Sequence, residues 1–296
     1  MRAHQTLQRD DGEPDSAVTE ASPETHPWVA RLSLEYSNRG GRSVLSHRSH
    51  LGPLVVQKPL YPEGDAVCHG IILHPPAGIA GGDELSITVK VGELARALLT
   101  TPGAGKWYRS AGATAKQQIT LDVADGAVFE WLPQESMVFD GALGDTTTHV
   151  RLTGSARFIG FDLWCLGRLT RGEHFDKGRM SARLRIERDG RAVFAESARL
   201  LGSDPRLAAP AGLGGASVFG NFLVAAPDID AALVDACRAA QPEQGLGAVT
   251  RLPGLLIARY RGGSAEAARN WFAALWAIAR PIVAGRQACP PRIWNT

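Results

Sequence analysis

Short runs of alternating or wholly apolar residues recur along the first two-thirds of this chain, each bounded by Gly, Pro, Asp or Asn. They are Ser43 to Ser49, Leu54 to Leu60, Val67 to Leu73, Leu85 to Val91, Ala97 to Thr101, Gln117 to Val123, Ala127 to Leu132, Thr147 to Leu152 and Arg157 to Trp164. Runs this short between turn formers cannot complete helices and read as strands. Trp28, Ala30, Leu32, Leu34 and Tyr36 alternate with more polar neighbours, so ordered structure is expected to begin there. Asp189-Gly190 separates Met180–Arg188 from Arg191–Leu200, the turn chemistry of a two-residue hairpin. A chain punctuated in this way must build sheets.

Two helices are expected in the C-terminal third. Asp228 to Ala240 places Ile229, Leu233, Val234 and Cys237 at helical spacing, with Pro242 beyond its end. A second begins at Ser264 and carries Trp271, Phe272, Leu275, Trp276 and Ala279 until Pro281 ends or kinks it near residue 280. Ser217–Ala225 and Leu255–Tyr260 read as two further strands flanking the first helix. Many strands followed by a few helices indicate one β-rich body with a small helical addition. No regular repeat occurs in the sequence, so periodicity alone does not separate a β-helix from a sandwich. Met1 to about His26 is polar and poor in large apolar residues, which predicts a disordered tail without a catalytic role ahead of a single domain over residues 27–296.

With 296 residues, 44% hydrophobic and 21% charged, the chain is long enough to bury a large core. A net charge of +2 with scattered Arg residues gives no reason to expect a nucleic-acid or membrane partner. Cys68, Cys165, Cys237 and Cys289 are widely separated, form no Cys-x-x-Cys pair, and fit reduced thiols of a cytosolic protein. No apolar run reaches membrane-spanning length and the N-terminus lacks a signal-peptide pattern, so the expected location is the cytoplasm.

Four segments combine Gly and Pro with specific polar residues: His74-Pro-Pro-Ala-Gly-Ile-Ala-Gly-Gly-Asp83, Thr100-Thr-Pro-Gly-Ala-Gly-Lys-Trp-Tyr-Arg-Ser110, Leu132-Pro-Gln-Glu-Ser-Met-Val-Phe-Asp-Gly141 and Cys165-Leu-Gly-Arg-Leu-Thr-Arg-Gly-Glu173. Such segments hold defined shapes, and shaped loops on a rigid scaffold carry function. In this order and spacing they resemble the urease accessory proteins of the UreD type, also called UreH. The resemblance runs from about Trp28 to the terminal Pro291-Arg-Ile-Trp-Asn-Thr296. It implies stacked β-sheets in a β-helix-like arrangement with two helices.

Several residues in and around these segments carry chemistry of their own. Gly103-Ala-Gly-Lys106 fails as a phosphate cradle, because Thr100 stands where the first Gly is needed and Trp107 where the magnesium-binding hydroxyl belongs. Cys68, His69 and His74 carry metal-ligand chemistry near one strand, although adjacent strand residues point to opposite faces. His47 and His50, three apart in a strand, also face opposite ways. Glu135, Asp140 and Glu173 lie in shaped segments, where carboxylates either accept backbone N–H groups in turns or ligate a divalent cation transiently. Lys106-Trp107-Tyr108-Arg109 and Trp294 combine the residue types enriched at protein interfaces, and the Trp- and Pro-rich terminus either docks on the body or meets a partner.

The resemblance implies a non-enzymatic, chaperone-like scaffold that binds apo-urease and UreF, which recruits the GTPase UreG, so that nickel reaches the urease active site. It implies no tightly bound cofactor, a transient Ni²⁺, and a hydrophilic passage that includes Glu173, Asp140, Asp83 and Glu63. Two alternatives stand beside it: a cytosolic metalloenzyme using His69, His74 and one of Glu63, Asp65 or Asp83, and a structural urease-binding protein with no metal path.

Overall fold

A computed structural model describes residues 27–295, so the expectation of a disordered tail over Met1–His26 lies outside the described residues. In chain order the elements are β1 (Val29–Arg39), β2 (Arg42–Leu51), β3 (Val55–Val56), β4 (Cys68–Leu73), β5 (Glu84–Val91), β6 (Arg96–Thr100), β7 (Gly105–Trp107), β8 (Ala115–Val123) and β9 (Val128–Leu132). They continue with β10 (Ser136–Val138), β11 (Leu143–Leu152), β12 (Arg157–Leu166), β13 (Arg179–Arg188), β14 (Arg191–Leu201), β15 (Val218–Ala225), α1 (Ala231–Ala239), β16 (Leu246–Leu252), β17 (Leu255–Gly262) and α2 (Ala265–Ala284).

From β4 to β15 the chain passes repeatedly between two sheets. A seven-stranded sheet runs β14-β13-β11-β8-β5-β1-β2, and a ten-stranded sheet contains the path β16-β17-β15-β12-β9-β6-β4-β3. The inner strands of both are parallel: β5, β8, β11 and β13 in one, β4, β6, β9 and β12 in the other. Each passage from one sheet to the other and back is one coil of a solenoid, as the family resemblance implies. The coil repeats in space without repeating in sequence. One rung across the second sheet reads His69, Leu98, Glu130 and Ile159, four different side chains at equivalent positions.

Burial explains why the ten-stranded sheet lacks clean alternation. Its inner face meets the seven-stranded sheet, and its outer face is covered by α1 and α2. Ala97, Leu99, Phe129 and Phe158 join the inter-sheet core, whereas the intervening Leu98, Leu132 and Ile159 pack with Phe272, Leu275 and Trp276 of α2. A strand buried on both faces reads as a continuous apolar run.

Three expectations change in detail. Of the Leu54–Leu60 run, Val55–Val56 forms a ladder with β4 and Leu60 adds an isolated bridge to His69, while Pro53 and Pro59 have no N–H to donate to a longer ladder. α1 is capped by Asp230, whose carboxylate accepts the Leu233 N–H at 2.8 Å, so the helix starts later than residue 228. α2 runs through Pro281 to Ala284, held by the buried Val283 and Ala284, and ends at Gly285, whose φ of 66° is the left-handed C-terminal cap. Among the described residues no helix is long and apolar enough to cross a membrane.

Candidate functional site

The four Gly- and Pro-rich segments are the successive turns from the second sheet to the first, and they stack along one edge of the solenoid. Ile79 pairs with Trp107, while β7 and β10 form a short parallel ladder that ends on β12. The ladder fixes the loop shapes: the Ile79 N–H donates to the Lys106 carbonyl at 2.7 Å, Phe139 to Trp107 at 3.0 Å and Gly167 to Val138 at 2.8 Å.

One side chain from each later turn joins a column along this edge. The Tyr108 ring lies so close to Gly78 that a Cβ there would sit 2.3 Å from the ring. Tyr108 meets Phe139 edge-on with centroids 5.1 Å apart, and the Arg168 guanidinium lies over the Phe139 ring at 4.3 Å. Arg168 also binds the Glu173 carboxylate, its Nε at 3.1 Å, and holds that carboxylate below its ordinary range. The other Glu173 oxygen accepts the Asp140 N–H at 3.2 Å, and Asp140 in turn accepts the Asp176 and Lys177 N–H groups at 3.0 and 2.7 Å. Glu173 and Asp140 are therefore brought together, with Arg109 3.5 Å from the Asp140 carboxylate.

The remaining proposed path residues lie elsewhere. Asp83 accepts the Trp28 and Ala80 N–H groups, both at 2.8 Å, and shapes the first turn. Cys68 points into the inter-sheet core, where burial pushes its thiol up. His69 points the other way and contacts Glu63 at 2.6 Å. Burial acts to raise the Glu63 pKa, but hydrogen bonds from His69 and Arg280 outweigh it and bring the carboxyl down to about 2. His74, lowered by burial with Asp83 opposing, lies at the far end of β4 from His69. Among the described residues no three His, Cys, Asp or Glu side chains group as metal ligands, so His69, His74 and a carboxylate do not converge.

The interface candidates also divide. Trp107 is 2% exposed and fills the inter-sheet core, so it has no surface to offer a partner. Lys106 and Tyr108 are half-buried and Arg109 is exposed. Trp294 docks on the body: its indole N–H donates to the Thr100 hydroxyl at 2.8 Å, and its ring meets Trp276 and Phe161.

A second feature escaped the sequence reading. Between the sheets is a cavity of about 680 Å³, lined by apolar groups such as Trp131, Phe158 and Leu184 and by the polar side chains of Asp162, Glu196 and Asn221. Asp162 sits on β12, where burial pushes its carboxyl up to about 6, Glu196 adds to the rise and the Trp164 indole N–H at 2.7 Å opposes it. A shallower groove shares Leu213, Leu246 and Arg261 with the cavity and extends to Leu169 and His174, on either side of the Glu173 turn. Asp162 is legible as the one acidic residue in an apolar strand; its opposition to Glu196 of the other sheet is not.

Comparison with known proteins decides the family, since residues 29–295 match the UreD urease accessory protein family along almost their whole length. The chain belongs to the UreD family. It is 55% identical over 269 residues to the urease accessory protein UreD of an Azoarcus species, covering 91% of this chain and 94% of that one. The UreD proteins of Dechloromonas aromatica and Pseudomonas fluorescens are 53% and 49% identical, covering 93% and 92% of this chain and 98% and 96% of their own. UreD membership gives the chain a role in urease maturation as an accessory protein.

Proposed function

We propose that this protein is a non-catalytic, cytoplasmic scaffold that binds apo-urease and UreF, engages UreG through UreF, and helps deliver nickel to the urease active site. The observation that carries the proposal is the family match over residues 29–295. The stacked turns support it physically, because a rigid parallel ladder presents Tyr108, Arg109, Phe139 and Arg168 as one preformed surface, and preformed surfaces lose little entropy on binding.

Nickel transfer needs ligands that release as readily as they bind, and oxygen donors serve this better than a closed tetrahedral site. The proposed route runs from Glu173 and Asp140 on the stacked turns to Glu196 and Asp162 on the inter-sheet cavity, all of them oxygen donors. Asp83, Glu63, Cys68 and His69 lie away from this route and serve the fold in this reading.

The test is co-expression of the tagged protein with the urease subunits and UreF, followed by purification and measurement of urease nickel. Co-elution of both, with nickel loading that depends on this chain, is the expected result. A folded preparation that retains neither contradicts the proposal.

A further inference from the structure

The two sheets end unevenly on the C-terminal side of the solenoid. The seven-stranded sheet stops at β14, whereas the ten-stranded sheet continues from β15 through β17 to β16. Glu196 fixes how the two overlie each other, its carboxylate accepting from Asn221 Nδ2 on β15 and Arg259 Nη2 on β17, both at 2.8 Å. β14 therefore lies over β15 and β17, and among the described residues no strand of its sheet lies over β16. The inner face of β16 shows the consequence. Register sets Leu246 beside Arg261 and Ala248 beside Arg259, and Leu246 is 61% exposed while Val249, on the opposite face, packs on the helical layer.

β14 also ends the hydrogen-bonded ladder. Its eleven residues, Arg191–Leu201, pair with β13 alone and include neither Pro nor Lys, which edge strands commonly use to refuse a further strand. Its inward-facing charge, Glu196, which would otherwise bar a neighbour, is paired with Arg259. A strand laid along β14 gains backbone hydrogen bonds there, and with strands ~4.8 Å apart its inward side chains meet Leu246 and Ala248 of β16.

The charge of this edge selects the strand. β13 and β14 together carry six arginines against two glutamates, an excess of four positive charges in a chain whose net charge is +2. Arg183 and Arg199, exposed on the outer face, have no ion-pair partner among the described residues. Arg261, on the inner side, is held by the neutral carbonyls of Pro210 and Gly212 at 3.1 and 3.2 Å. A second copy of this chain brings the same basic hairpin and is repelled, whereas carboxylates alternating with apolar side chains match both the arginines and Leu246.

We infer that the edge of β14 is a docking site for an extended, acidic segment of a partner protein, which adds to the seven-stranded sheet as one more strand and covers the exposed inner face of β16. The inference rests on the proposed scaffold role and gives that role a contact surface.

Hydrogen exchange of the full chain, alone and in the complex with the urease subunits and UreF, tests the inference. Amides on the free edge of β14 are expected to slow roughly tenfold or more in the complex, while those of β2, the other edge of the same sheet, stay unchanged. A complex that leaves β14 exchange unaltered overturns it. Arg199→Glu is expected to weaken the complex roughly tenfold, the factor that ~1.4 kcal/mol brings, and Arg199→Lys to bind like the wild type. Full binding by Arg199→Glu overturns it equally. Slowing in the chain alone as its concentration rises makes a second copy the occupant and contradicts the inference. If neither the urease subunits nor UreF binds, the proposed function fails, and the same measurement with a peptide of alternating Val and Glu decides the docking site: slowed β14 exchange upholds it, and unaltered exchange overturns it.

Discussion

Arg280 of α2 and Glu130 of β9 meet where neither has contact with solvent, the guanidinium Nε lying 3.1 and 3.0 Å from the two carboxylate oxygens. Trp276 donates to the same carboxylate at 2.6 Å, and the Arg280 guanidinium continues to Glu63 at 2.9 Å. Burial pushes the Glu130 carboxyl up, and Arg280 and Trp276 pull it back. The network ties the helical layer and the Glu63 loop to the sheet. Arg280→Met leaves two carboxylates without their counter-charge and is expected to cost about 3–5 kcal/mol. Urea unfolding with an unchanged slope and a lower midpoint is the check.

Asp162 gives the chain a pH signature. Its folded pKa of about 6 lies above the unfolded value of roughly 3.9. Between those values the folded state holds more protons than the unfolded one, so stability falls as pH rises through this window and levels off above it. The loss is at most about 3 kcal/mol. Asp162→Asn, which retains an acceptor for Trp164, is expected to abolish that slope and to raise the midpoint of urea unfolding at pH 7. A wild-type profile in the variant would assign the slope to other groups.

Gly78 is required by the ring beside it. A Cβ at that position would approach Tyr108 to 2.3 Å, and Phe139 on the other side blocks a sideways retreat. Gly78→Ala is expected to destabilise by about 1–3 kcal/mol. Hydrogen exchange should localise the damage, with the Ile79 and Tyr108 amides losing protection first because they bind the same pair of turns.

Trp294 anchors the C-terminal segment through Thr100, Trp276 and Phe161. Trp294→Ala removes a half-buried aromatic and is expected to cost about 1.5–3 kcal/mol. Thr100 keeps its 2.6 Å bond to the Leu132 carbonyl, so its hydroxyl is not orphaned. Thermal unfolding measures this term. A loss of UreF or urease co-elution from a variant that remains folded would add a partner role to the anchor.

The sequence made the strands legible because half-buried strands alternate and turn residues mark their ends. Leu85–Val91 and Gln117–Val123 show this most clearly, the inner residues Leu85, Ile87, Val89 and Val91 of one and Ile119, Leu121 and Val123 of the other being core. β7 and β10 were not legible, since three residues carry no period, and β16 was hidden by having little buried surface on either face. The stacking of the four turns depends on parallel register between strands far apart in sequence, which no local pattern specifies. The same holds for the cavity. Asp162 and Glu196 each interrupt an apolar alternation that can be read locally, but only the fold brings Glu196 across to Arg259 and Asn221.

Urease nickel content in cells grown at limiting nickel, compared with and without this chain while UreF and UreG are present, tests the central claim most directly. A role in delivery predicts apo-urease when the chain is absent, restoration by the wild type, and incomplete restoration by Glu196→Gln. Fully loaded urease in its absence would contradict the account.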